Sequence, residues 1–331
     1  MPNRIYAFDV LKLLGAIGIA LLHFNWKLIP QGYLFVEMFF ILSGYLLYSN
    51  ISRYKEQNWV SILIKRLKSF YILYIFVLLG QILLNSKPSL PNFISALFLL
   101  GDIGLGDRFS YGALWFLGVY IYCFMFYILL FKTLQEKQAL LITAVIVLIC
   151  LFSFYTFSAY HALNKTYEMT IGPFQFGLMR GLAGIGWGIC LHALTPKNYH
   201  LNQLLVNVVF ILLSGLFVFY IFHKVTPAYD FINYLVISGI IFLINSKKGC
   251  INILLQSFGR KFHYVCSLSL PIYIFHCLVI DILNKLNTPP QGYSPVLYIL
   301  WVVLMAVVME RIQKLIIYMV NEIKLTTVKE K

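Results

Sequence analysis

The sequence predicts an all-α integral membrane protein: one polytopic domain over residues 1–331, with about ten transmembrane helices and both termini cytoplasmic. Three observations predict it. Of the 331 residues, 60% are hydrophobic and 11% charged, against about 25% charged in a soluble domain, so too few polar side chains exist to coat a soluble body of this size. The apolar residues fall in runs approaching the roughly 20 residues of helix that cross a bilayer. The basic residues alternate. With the N-terminus inside, 18 of the 26 Lys and Arg fall on inner segments and six on outer loops (Lys27, Lys87, Arg108, Lys165, Lys224 and Lys285), with Lys12 and Arg180 inside spans. That bias favours an even number of crossings with both ends inside.

The spans are expected at 7–26, 33–50, 69–84, 113–131, 139–157, 174–194, 204–223, 231–246, 264–283 and 295–315. The first apolar run is too long for a signal-peptide core and lacks a small-residue cleavage site, so it reads as the first span. The net charge of +14 would suggest nucleic acid on a soluble protein; concentrated at helix ends, it reports orientation instead, and no nucleic-acid partner is expected. The six cysteines show no C-x-x-C and read as small apolar residues. No metal site is expected. Residues 51–68 set five basic groups among apolar ones, as in an amphipathic segment on the inner surface. Residues 85–112 hold the run Phe93–Leu100, too short to span, then a glycine-rich turn; a re-entrant or interfacial segment fits there.

Ionisable groups inside spans are costly and usually face the bundle interior or an aqueous cavity. In the first span Lys12 and His23 lie on one helix face, about 16 Å apart along the axis, and Asp9 sits one turn from Lys12, where it can pair. Asp9 and Lys12 could equally be interfacial anchors. In the second span Glu37 falls near the depth of His23, as a buried acid or as a boundary carboxylate in water. Ser43 and Gly44 read as a close helix contact. The fourth span opens on Trp115, which an aromatic belt alone would explain. Arg180 in the sixth span needs an acid from another helix, and Glu37 is nearest by depth. In the ninth span Ser269, Tyr273 and His276 share a face; Pro271 is expected to kink the helix, and His276 alone reads as a packed, hydrogen-bonded histidine. Together these residues give a cationic inner mouth and an acid–base cluster nearer the outer face.

The order of these motifs resembles the membrane-bound acyltransferase 3 family, which includes bacterial O-acetyltransferases of cell-surface saccharides. The resemblance runs over nearly the whole chain. It rests on Asp9, Lys12 and His23; on Glu37 before Phe39, Phe40, Ser43 and Gly44; on the basic segment with Lys65, Arg66 and Lys68; on Trp115, Phe116 and Leu117; and on Ser269, Tyr273 and His276. Lys12 stands where the family often has arginine, and the proline that often ends its basic segment is missing.

The resemblance implies a multi-pass protein of a bacterial plasma (inner) membrane. Its donor would be acyl-CoA, with acetyl-CoA the expected one, and its acceptor a hydroxyl of a cell-envelope or lipid-linked glycan. Asp9, Lys12, Lys65, Arg66 and Lys68 would hold the donor, cations meeting the CoA phosphates. His23 would act as general base, with Glu37 orienting or charge-matching the imidazole, or as the carrier of an acyl-histidine. Arg180, His276, Trp115 and Tyr273 would face the acceptor or the oxyanion. No permanently bound cofactor is implied, and an oligomer is compatible with the sequence. A transporter of an anion or saccharide would use the same buried groups as a proton relay and substrate path, but the chain shows no internal repeat. The count of buried ionisable groups argues against a protein without chemistry.

Overall fold

A computed structural model describes residues 4–84, 87–106, 109, 111–158, 163, 170–171, 174–196, 201–223, 230–286 and 294–329. The cations Arg108, Lys165, Lys197, Lys224 and Lys331 used above for orientation lie outside these residues. Fourteen helices follow in order: α1 (Tyr6–Phe24), α2 (Leu34–Tyr48), α3 (Ile51–Glu56), α4 (Trp59–Leu84), α5 (Leu90–Leu97), α6 (Trp115–Thr133), α7 (Glu136–Ser158), α8 (Phe176–Leu194), α9 (Gln203–Phe222), α10 (Ile232–Asn245), α11 (Cys250–Lys261), α12 (His263–Ser267), α13 (Ser269–Lys285) and α14 (Pro295–Lys329). A two-residue antiparallel ribbon, β1 (Thr170–Ile171) with β2 (Phe174–Gln175), leads into α8.

Each expected span coincides with a helix. Seven of the described helices are long and apolar enough to cross a membrane. An eighth is possible if α10 and α11, bent by 79° at their junction, count as one span. The two other expected spans fall on α2, with 15 residues, and α13, with 17. The chain is a helical, multi-pass membrane protein. Large apolar side chains such as Leu141, Leu148 and Phe152 on α7 and Ile211 and Leu212 on α9 are exposed, as lipid-facing residues should be.

Three expected features take a definite form. The basic segment before the third span is not a separate surface element: from Trp59 onward it is the first part of the 26-residue α4. Only α3 stands apart, and Lys132 caps its end, its Nζ donating to the carbonyls of Tyr54, Lys55 and Gln57 at 3.1, 2.7 and 2.7 Å. The ninth expected span is interrupted ahead of Pro271: the helix breaks at Leu268 and α13 starts at Ser269, so the proline sits in a first turn, where no intrahelical donor is lost. The short run near Phe93 forms α5, and tyrosines meet the carbonyls at its end. Tyr71 and Tyr74 of α4 donate to Leu97 O and Ala96 O, and Tyr122, two turns into α6, donates to Phe98 O. Helix ends need such partners among apolar neighbours, and the arrangement fits the re-entrant expectation.

The tightest contact joins α2 and α8. A Cβ added at Gly44 would overlap the carbonyl of Ile185, and one added at Gly188 would overlap the carbonyl of Ile41. Small residues let these backbones approach, as Ser43–Gly44 led one to expect. Ser43 itself donates to Phe39 O at 2.6 Å. This contact sets α2 against α8 in the register that brings Glu37 to Arg180.

Candidate active site

Helices α1 and α13 both line two separate cavities, one at the basic end of the bundle and one towards the opposite end, each of about 400 Å³. At the basic end the polar wall is Arg4, Asp9, Lys12 and Arg66, with Ser69 and Ser269 beside them. Asp9 lies between two cations, 2.8 Å from Arg4 Nε and 3.2 Å from Lys12 Nζ. Arg66 donates to the Tyr54 hydroxyl and lies 4.4 Å from the Phe124 ring centre. Of the three cations expected from the basic segment, only Arg66 lines the cavity. Lys65 and Lys68 are exposed on other faces of α4, because neighbours on a helix point about 100° apart.

The second cavity is lined by His23, Trp26, Tyr33, Trp115, Arg180 and Cys277, among others. His23 opens into it from the last turn of α1. His276 is fully buried behind it on α13. The two imidazoles meet, His23 Nδ1 lying 3.3 Å from His276 Nε2. His23 Nδ1 is also 2.9 Å from Ile19 O, and His276 Nδ1 is 2.6 Å from Tyr273 O. The tautomers are assigned from the acceptors that each ring nitrogen meets. A carbonyl oxygen only accepts, so His276 carries its proton on Nδ1 and its Nε2 is an acceptor. His23 Nδ1, facing two acceptors, carries a proton as well, and His23 Nε2 is left with its lone pair. The Cys277 Sγ lies 3.3 Å from the same His276 Nε2. It is therefore part of the polar cluster and not the simple apolar residue its context suggested.

Glu37 does not orient His23. It is fully buried, and both carboxylate oxygens are engaged elsewhere. Oε1 accepts from Arg180 Nε at 2.7 Å, with Nη2 at 2.5 Å, and Oε2 accepts from the Tyr234 hydroxyl at 2.6 Å. The pairing of Arg180 with Glu37 is as expected from depth. The orienting role assigned to Glu37 is corrected: the group beside His23 is His276, brought there from 253 residues away. Arg180 further donates to Leu163 O at 2.6 Å and lies 4.9 Å from the Trp115 ring centre. Trp115 is thus more than a belt residue.

Asp230, one residue ahead of the eighth expected span and in none of the motifs, closes this network. It accepts from the Leu163 backbone N–H at 3.0 Å and from the Tyr33 hydroxyl at 3.0 and 3.1 Å. Burial raises its carboxyl to about 6, against the pull of those two donors. Tyr33 and Tyr234 were also missed, since a tyrosine in an apolar run carries no sign of the acid it serves. Tyr273 has its hydroxyl committed to Ala113 O, so it is a wall residue of both cavities and offers its proton to neither.

The profile of a family described as an acyltransferase domain matches residues 5–309 of the chain. No curated protein and no solved structure matches it.

Proposed function

This chain belongs to the acyltransferase family just described, and we propose that it transfers a short acyl group, acetyl in the first instance, from cytoplasmic acyl-CoA to a hydroxyl of a cell-envelope glycan or lipid-linked saccharide. The observation that carries the reading is the placement of His23: an imidazole that lines a cavity with its Nδ1 held between Ile19 O and His276 Nε2, on the same helix that presents Lys12 to a cationic cavity about 16 Å away. In this reading ten helices cross the plasma membrane of a bacterium with both termini inside. The CoA phosphates meet Arg4, Lys12 and Arg66, and the pantetheine arm extends along α1 and α13 towards His23.

The acceptor hydroxyl gives its proton to His23 Nε2 as its oxygen attacks the thioester carbonyl. The new C–O ester bond forms, the C–S bond breaks, and the departing CoA thiolate takes the proton back from His23 Nε2. His276 acts through His23. Its Nε2 lone pair holds the Nδ1–H, the part a carboxylate plays in many triads, and it favours the imidazolium that forms. Arg180 over Trp115 seats the acceptor and presents a cation to the developing oxyanion. Its own position is set by Glu37, Tyr234 and the Leu163–Asp230 contact.

The test is single-turnover transfer from labelled acetyl-CoA to envelope glycan in vesicles. His23→Ala and His23→Gln should each lose about 10²–10⁴-fold in rate while still binding acetyl-CoA. His276→Gln, whose amide oxygen can still accept from Nδ1–H, should keep more activity than His276→Leu. Parental turnover in His23→Gln would overturn the assignment. A transporter would instead move solute and give no acylated product even in the parent protein.

A further inference from the structure

Among the described residues, the two cavities share a single lining residue, Tyr273. Its ring stands between the aromatic floor of the basic cavity and the imidazole pair. The Phe116 ring centre is 5.6 Å away and that of Phe39 6.3 Å on one side, and that of His276 is 5.8 Å away on the other. The hydroxyl is latched to Ala113 O. That carbonyl belongs to a short turn, Gly112–Leu114, immediately before Trp115, and Gly112 and Ala113 themselves line the histidine cavity. The latch is therefore held from the side where the acceptor would sit.

We infer that Tyr273 is the gate between donor and acceptor compartments, closed by its latch to Ala113 and released when an acceptor occupies the cavity beside Gly112 and Trp115. The inference rests on the transfer reading above and adds a step to it. A thioester held at the basic end reaches His23 past this ring, the one described residue that borders both cavities. Two physical needs are served by keeping the gate shut at rest. A thioester beside a basic imidazole with water present would hydrolyse, and exclusion of water until the acceptor arrives prevents that side reaction. A continuous polar path from one end of the bundle to the other would also pass protons, and an aromatic constriction stops it. Opening needs only rotation of the Tyr273 side chain. The Tyr273 backbone carbonyl stays in place to hold His276 Nδ1, so the tautomers survive the motion.

The experiment uses the full-length protein in proteoliposomes with a pH-sensitive dye inside. Two rates are read without acceptor: dissipation of an imposed proton gradient, and CoA thiol release from acetyl-CoA. The parent should be tight and release CoA slowly. Tyr273→Ala should raise both rates severalfold. Tyr273→Phe, which keeps the ring and loses the latch, should fall between. Monodisperse elution and retained acetyl-CoA binding show that a variant is folded; if Tyr273→Ala is not, Tyr273→Leu, which also removes the ring and its latch, takes its place. A folded wall variant as tight as the parent, with unchanged thiol release, overturns the gate even if the parent transfers acetyl normally. A leaky variant of a parent that transfers no acetyl keeps the wall and rejects the transfer reading instead.

Discussion

Arg180 and Glu37 are 2% and 0% exposed at their side chains, and at that depth each charge is tolerable only because of the other. Two buried ions repay their desolvation when geometry is good and the remaining donors and acceptors are used; here Tyr234, Leu163 and the face of Trp115 complete the set. Removing one partner leaves a bare charge, which costs about 3–5 kcal/mol. Glu37→Leu and Arg180→Met should therefore each lower thermal stability in detergent sharply. The double variant Glu37→Leu/Arg180→Met should recover much of that loss, while its transfer activity stays low because nothing seats the acceptor. If the double variant is as unstable as the sum of the singles, the pair is not the unit described. Glu37→Gln should also be a severe lesion, because the amide would sit against the guanidinium.

Among the helices, the α2–α8 contact has the most consequence for the site. Its two glycines place backbone against backbone, and the register they set is the one that aligns Glu37 with Arg180. Gly44→Ala must push the Ile185 carbonyl away, which overpacks a contact with no flexible side chain to yield; overpacking costs about 1–3 kcal/mol. The expected outcome is a lower melting temperature together with loss of transfer, whereas Gly215→Ala on α9, where an added Cβ meets nothing within 4 Å, should change neither. Melting curves and single-turnover rates on the two variants check this. A parental Gly44→Ala would mean that α2 and α8 can separate without disturbing the ion pair. The other element-level result is α13, which starts at Ser269 and carries Ser269, Tyr273 and Cys277 from the basic cavity through the shared wall to the histidine cavity. Sequence spacing placed Ser269, Tyr273 and His276 on one face; that Ser269 lines one cavity, Tyr273 both, and His276 is buried behind them became visible only with the cavities.

At the scale of the whole molecule, the cationic cavity and the histidine cavity lie towards opposite ends of the bundle, so the proposed chemistry requires a defined orientation. A reporter fused after Lys331 should be cytoplasmic and one inserted near Lys87 external. An external C-terminus would put the CoA-binding end on the wrong side of the membrane and sink the ten-crossing arrangement, in which α2 and α13 both have to cross despite their length.

The sequence by itself determined the solvent, the helices and the cost-bearing residues. Hydropathy and the alternation of Lys and Arg read one coordinate, depth in the bilayer, and depth is a local property of the chain. For that reason all ten expected spans coincide with helices, Arg180 could be matched with Glu37, and Lys12 and His23 could be put on one face. Tertiary structure alone decided the remaining coordinate, the rotation of each helix about its axis and the identity of its neighbours. Lipid is as apolar as a helix interface, so an apolar helix carries little pattern to say which face packs inward. Hence Lys65 and Lys68 turned away from the cavity that Arg66 lines, Tyr33 and Tyr234 gave no sign of the acids they serve, and Glu37 went to Arg180 and Tyr234 instead of His23. The partner of His23 came from the other end of the chain, across 253 residues that no spacing rule spans.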